Sequence, residues 1–292
     1  MRGTYLARLA AGLLSLHIFL GCVGGADARQ SQSADEGRRQ EGAFDSLERA
    51  LRAPEQVRRL DLTSEDPSMR HLPPALGTLV NLEALEISCL EKLEDLPEEL
   101  GRLRKLEELV IDNGNGCAMN VSLPRSIGQL GSLRVLRLYG ALDGRDMNAE
   151  GHARTGQRKR LPDTLANLET LEELDLGRNG IRSLPPQVAA LRRLKKLGLD
   201  YNEIRELPAF VGNLTSLEEL SLRSNGGVRL PQTLAGIKGL KVFMGNNSLT
   251  LAAQRSLRGR FPNVEFSFEN EFDDSAANEE APKPRPRRGR RQ

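Results

Sequence analysis

Tyrosine and arginine dominate the energetics of protein interfaces, because each joins a broad flat surface to a polar edge. This chain has only three tyrosines. Two of them, Tyr139 and Tyr201, fall in a set of polar residues that returns roughly once per repeat of the sequence: Arg137, Tyr139, Asp175, Arg178, Asp200, Tyr201, Arg223 and Ser224. Such a set suits noncovalent recognition of a protein or peptide partner. The competing reading is an ordinary hydrophilic face with no ligand.

Catalytic chemistry has little to work with. Beyond the N-terminal segment the histidines are His71 and His152, neither with a cysteine or carboxylate at metal-ligand spacing. No Gly-rich phosphate loop, nucleophile elbow or zinc-binding helix motif is present in the sequence. The expectation is a protein that is not an enzyme and uses no cofactor or metal. The formal net charge of +2 gives no basic face of the kind nucleic acid requires. No nucleic-acid partner is expected, and the protein is expected to be a monomer.

The elements that position these residues follow from a repeat. Aligning the sequence on L-x-x-L-x-L gives eight units, starting at Val57, Leu82, Leu106, Leu133, Leu171, Leu194, Leu217 and Leu240 and together covering 57–263. Position one is the first residue of each unit. In "LEELDLGRN" the alternation of Leu174, Asp175 and Leu176 has period two, which predicts a strand with one buried side. In "LPPQVAALRRL" the residues Leu184, Val188, Leu191 and Leu194 recur at three or four, a helical turn or short helix opened by proline. Neither segment can bury its apolar side alone, so the units must stack. A core built this way suits a composition that is 4% aromatic and lacks tryptophan.

The phrasing "LPxxLGxLxxLexL", at 96–109 and 123–136, resembles the Ras-suppressor and plant Ras-group-related type of leucine-rich repeat. The resemblance implies an α/β solenoid: a curved parallel sheet on the concave face and short helices or turns on the convex face. Asn179, Asn202 and Asn225, each three residues after the second strand leucine, are expected to bond turn backbone. At positions two and three the charges alternate in sign from Arg134 onward, through Glu172, Glu173, Lys195, Lys196, Glu218, Glu219 and Lys241. Neighbouring strands lie about 4.8 Å apart, so these charges can pair.

An array needs sealed ends. Residues 43–56, with Phe44, Leu47, Ala50 and Leu51 at helical spacing before Pro54, read as an N-terminal helical cap. A last helix at 252–257 and a closing strand at 264–268 read as the other end. Unit four carries an insertion at 140–160, either functional or an unstructured loop.

The first 22 residues read as an export signal, with Arg2 and Arg8 before the apolar run 9–20. "FLGC" at 19–22 resembles the lipobox of bacterial lipoproteins, which implies lipidation of Cys22 and a membrane anchor; "ADA" at 26–28 offers ordinary cleavage and a secreted protein instead. Export would leave Cys89 and Cys117, an even pair in an oxidising compartment, free to form a disulfide. Residues 23–42 read as a polar tether and 269–292 as a disordered tail, acidic then basic. The basic part suits an anionic envelope polymer, which defines an alternative function as an envelope-associated structural protein. Because the repeat type it resembles is common inside cells, a cytoplasmic signalling adaptor is the other alternative.

Overall fold

The computed structural model describes residues 42–63, 65–112, 119–143 and 159–269. Cys22, Cys117, most of the 140–160 insertion, most of the tether and nearly all of the tail lie outside them.

Among the described residues ten strands follow one another in sequence order and pair in parallel throughout: β1 Ala43–Phe44, β2 Arg59–Asp61, β3 Ala84–Ser88, β4 Glu108–Asp112, β5 Val135–Arg137, β6 Glu173–Asp175, β7 Lys196–Gly198, β8 Glu219–Ser221, β9 Lys241–Phe243 and β10 Glu265–Ser267. Parallel neighbours need a crossover. Here each crossover from β2 to β9 carries one five-residue 3-10 turn, seven in all among the described residues, such as Pro74–Thr78 and Ala209–Asn213. Each turn is preceded by a proline, from Pro73 to Pro231, with φ between −61° and −72°. The ring pre-sets the φ that opens a turn. The turns stack closely because of the glycine in the repeat phrase: a Cβ at Gly128 would lie 2.3 Å from the Thr164 carbonyl oxygen of the following turn.

Between sheet and turns lies one continuous core, almost entirely leucine. Strand positions four and six supply one wall, as with Leu174 and Leu176, both 0% exposed. The turns supply the other, as with Leu165 and Val188. The result is an α/β solenoid with an open, unclosed sheet.

The ends depart from expectation. The N-terminal cap contains a helix, Leu47–Arg52, but it is preceded by β1, two residues too short to leave a period-two signature. Gly42, assigned to the tether, accepts hydrogen bonds from the Arg58 and Arg59 N–H groups at 2.9 and 3.1 Å and so belongs to the array. At the far end the helix spans Leu251–Arg260 and the closing strand Glu265–Ser267, with Phe261 fully buried between them.

Unit eight begins one residue earlier than the leucine pattern indicates. Lys241 pairs with Glu219 and Val242 with Leu220, which puts Gly239 at position one. Gly239 has φ +73°, open to glycine, and Leu240 takes over the buried place that a leucine fills in other units. Val242 is therefore core, 0% exposed, and not an outward residue as the leucine spacing suggests.

Candidate partner-binding site

Two rows of polar side chains cross the sheet side of the array. The first consists of positions two and three. Arg134 holds Glu172 through two hydrogen bonds at 3.2 Å, and Lys195 reaches the same carboxylate at 2.9 Å. Lys196 stands 3.7 Å from Glu219. The Lys195 and Arg134 hydrogen bonds hold the Glu172 carboxyl below its ordinary range. A shallow groove of about 340 Å³ runs over this row, lined by residues from Arg59 to Lys196. Most of its charges pair with one another, each exposed pair contributing about 0–1 kcal/mol.

The second row consists of positions five, seven and eight, and here the geometry is less regular. Among the described residues position eight is left-handed in six units: Cys89, Gly140, Arg178, Tyr201, Ser224 and Asn246 all have φ between +55° and +65°. The cause is visible in the backbone. The position-eight N–H of one unit donates to the position-seven carbonyl of the next, Arg178 to Asp200 and Tyr201 to Arg223 at 2.9 Å, and Ser224 to Gly245 at 3.0 Å. The backbone must turn sharply at the strand exit while keeping that bond. Glycine and asparagine adopt this region readily; Arg178 and Tyr201 do so at a cost of order 1 kcal/mol each.

The structure brings Arg178, Tyr139 and Tyr201 together. The Arg178 guanidinium carbon lies 5.5 Å from the Tyr139 ring centroid and 5.3 Å from that of Tyr201, a cation between two aromatic faces. Room for the Tyr139 ring exists because position seven of the next unit is glycine: a Cβ on Gly177 would meet the ring at 2.6 Å. Burial pushes the Tyr139 phenol well above its ordinary pKa, so it stays protonated.

The other residues of the set are tied into local networks. Arg137 is held by Glu173 at 2.6 Å and faces Glu108 at 3.6 Å. The Asp175 carboxylate accepts from the Gly177 N–H at 2.8 Å and lies against Gly198, where a Cβ would come within 2.7 Å of its Oδ1. Burial pushes Asp175 up to about 6, with Asp200 and Glu173 adding to the effect and the Gly177 N–H opposing it. Asp200 accepts from the Ser221 hydroxyl at 2.5 Å and the Arg223 N–H at 2.7 Å. Arg223 stacks on Phe243 at 4.7 Å, and its guanidinium stands 3.6 Å from Asp200. Ser224 is half-buried beside Arg223. Phe243, at position five of unit eight, escapes the leucine spacing because that spacing starts the unit one residue late.

Under this row runs the asparagine ladder. Asn202 accepts from the Asn179 and Ile181 N–H groups and donates to the Leu176, Leu199 and Asp200 carbonyls. One unit on, Asn225 accepts from the Ile204 N–H and donates to the Leu199, Leu222 and Arg223 carbonyls, and Asn247 continues the series at position nine of unit eight. The ladder pins the strand exits on which Arg178, Tyr201 and Ser224 sit.

Among the described residues no group of three or more His, Cys, Asp or Glu side chains is placed to hold a metal ion, and no helix is long and apolar enough to cross a membrane. His71 faces Asp95 at 2.9 Å in an exposed contact. Cys89 leaves β3 at the left-handed position.

Residues 152–256 match the family model described as a leucine-rich repeat region. Among solved structures, the protein is similar to a leucine-rich repeat protein of Leptospira interrogans, 22% identical over 78% of this chain and 70% of that one, TM-score 0.44. It is also similar to a plant peptide hormone receptor in complex with RGF2, 23% identical over 73% of this chain and 36% of that one, TM-score 0.43. A third is internalin C2 of Listeria monocytogenes, 18% identical over 74% and 84%, TM-score 0.49. No curated protein matches the sequence.

Proposed function

We propose that this leucine-rich repeat solenoid is a noncatalytic scaffold that grips a protein or peptide partner on the face formed by units four to seven. Arrays of this kind are typically interaction scaffolds, whose stacked units create an extended surface for a partner. The observation that carries the assignment to this face is Arg178 held between Tyr139 and Tyr201, with Arg178 and Tyr201 on left-handed backbone, since such strained positions cluster at functional sites. The test is capture from the envelope fraction of the native host by immobilised protein. A partner retained by the wild type and lost from Tyr201→Ala plus Arg178→Ala supports the reading; a partner retained by both moves the site elsewhere.

The scaffold is further proposed to be exported and lipid-anchored through Cys22, with Cys89 and Cys117 paired. A disulfide at Cys89 suits an oxidising compartment. Intact mass of the protein from its native host checks this. A mature protein beginning at an acylated Cys22, with Cys89 and Cys117 resistant to alkylation until reduced, is the expected result; an unprocessed protein with free thiols places it in the cytoplasm.

A further inference from the structure

Three arginines stand in the candidate site, and their surroundings differ. Arg137 is engaged by Glu173 and Glu108, and Arg223 by Asp200. Arg178 has an aromatic ring on each side, yet among the described residues no carboxylate forms an ion pair with it, and its Nε is buried without a hydrogen-bond acceptor. That buried Nε is out of a ligand's reach, whereas the terminal guanidinium nitrogens are neither buried nor hydrogen-bonded among the described residues and are the donors open to an acceptor from outside. The two rings also restrict where the guanidinium can move. A guanidinium held this way loses less freedom on binding than a free arginine side chain would.

A planar fork of N–H donors matches the two oxygens of a carboxylate. The surroundings narrow the ligand further. Asp175 and Asp200 are near enough to act on the Tyr139 phenol, and Glu173 lies beyond Asp175 in the same network. These charges repel a polyanion but tolerate one carboxylate seated directly on the cation.

We propose that Arg178, clamped between Tyr139 and Tyr201, is the receptor for a single carboxylate of the bound partner, from an Asp or Glu residue or from a free C-terminus, set in an otherwise neutral or basic segment. The proposal rests on the reading of units four to seven as the partner-binding face.

Three synthetic octapeptide libraries separate the possibilities when presented to the full-length protein. One contains Asp and Glu and ends in an amide; one lacks Asp and Glu and ends in a free carboxylate; one lacks both. Capture of the first or second by the wild type, with the third left behind, is the expected result, and whichever is captured identifies the source of the carboxylate. Arg178→Gln is expected to lower that capture about tenfold or more, and Arg178→Lys to recover only part of it, because the charge returns without the stacked fork. Thermal unfolding of both variants within a few degrees of the wild type, on the order of a 1 kcal/mol change, excludes a folding defect. Equal capture of all three libraries, unchanged in Arg178→Gln, overturns the carboxylate receptor while leaving the binding face standing. Capture of none overturns it as well, and the binding face is then judged separately by the envelope-fraction experiment with the double variant.

Discussion

The Asn202 side chain satisfies five backbone groups at once, two N–H donors and three carbonyls, in a place 6% exposed to solvent. Replacing it with alanine leaves several of them without partners, at about 1–3 kcal/mol for each group that water cannot reach. Asn202→Ala is therefore expected to lose about 2–4 kcal/mol in urea unfolding, and a loss below about 1 kcal/mol would show that water fills the gap. Asp175 makes a prediction of opposite character. Its folded pKa of about 6 lies above the unfolded value near 3.9, so the native state binds the proton more tightly. The stability it contributes is full below about pH 4 and lost as the pH rises through 6. Asp175→Asn keeps an oxygen for the Gly177 N–H and cannot ionise. It should match the wild type near pH 4 and exceed it by on the order of 2 kcal/mol at pH 7.5, read from denaturant midpoints. The asparagine ladder was legible in the sequence, because a polar residue at one fixed place after two strand leucines has few other uses. The pairing of Arg178 with two tyrosines was only partly so. The sequence put the three residues in one set, but the glycine at 177 that admits the Tyr139 ring, and the absence of an ion pair at Arg178 among the described residues, are matters of packing between units.

The strand exit is the element on which the site depends, and its left-handed residue can be varied without touching the Arg178 and tyrosine side chains. Ser224 occupies that position with φ +55°. Glycine adopts the same conformation without steric cost, so Ser224→Gly is expected to stabilise the protein by about 0.5–1 kcal/mol, checked by thermal or urea unfolding. A destabilisation would mean that the Ser224 side chain makes a contact worth more than the strain it carries. At this scale the sequence reading succeeded wherever leucine spacing was regular and failed where backbone conformation changed the count. The eight strands β2 to β9 follow from the period-two leucines. The start of unit eight did not, because a glycine at φ +73° lets Leu240 fill a slot that its neighbours fill from one position earlier. Likewise β1 has two residues, too few for any alternation to be read, and it exists because Gly42 and the residues after it find partners on β2.

In a stacked array each unit touches mainly its neighbours, so stability is assembled from interfaces in series and the two ends can differ. The C-terminal end is closed by a three-residue strand and one helix that buries no residue of its own. Phe261 supplies what the helix lacks: it is 0% exposed, and its ring lies 6.1 Å from that of Phe266, which stacks in turn on Phe268 at 5.8 Å. Phe261→Ala should cost about 3–5 kcal/mol at the cap. Because coupling passes from neighbour to neighbour, the loss is not expected to spread evenly. Amide hydrogen exchange should rise most in β9 and β10, less in β7 and β8, and least in β2 and β3, where the helix Leu47–Arg52 and β1 protect the opposite end. Binding at units four to seven lies between those limits, so a carboxylate-bearing peptide should still be captured by Phe261→Ala at low temperature and lose affinity as fraying reaches Ser224 and Tyr201. Uniform exchange across all ten strands would instead mean that the array opens as one cooperative block, with its stability set by the whole core rather than by its weaker end.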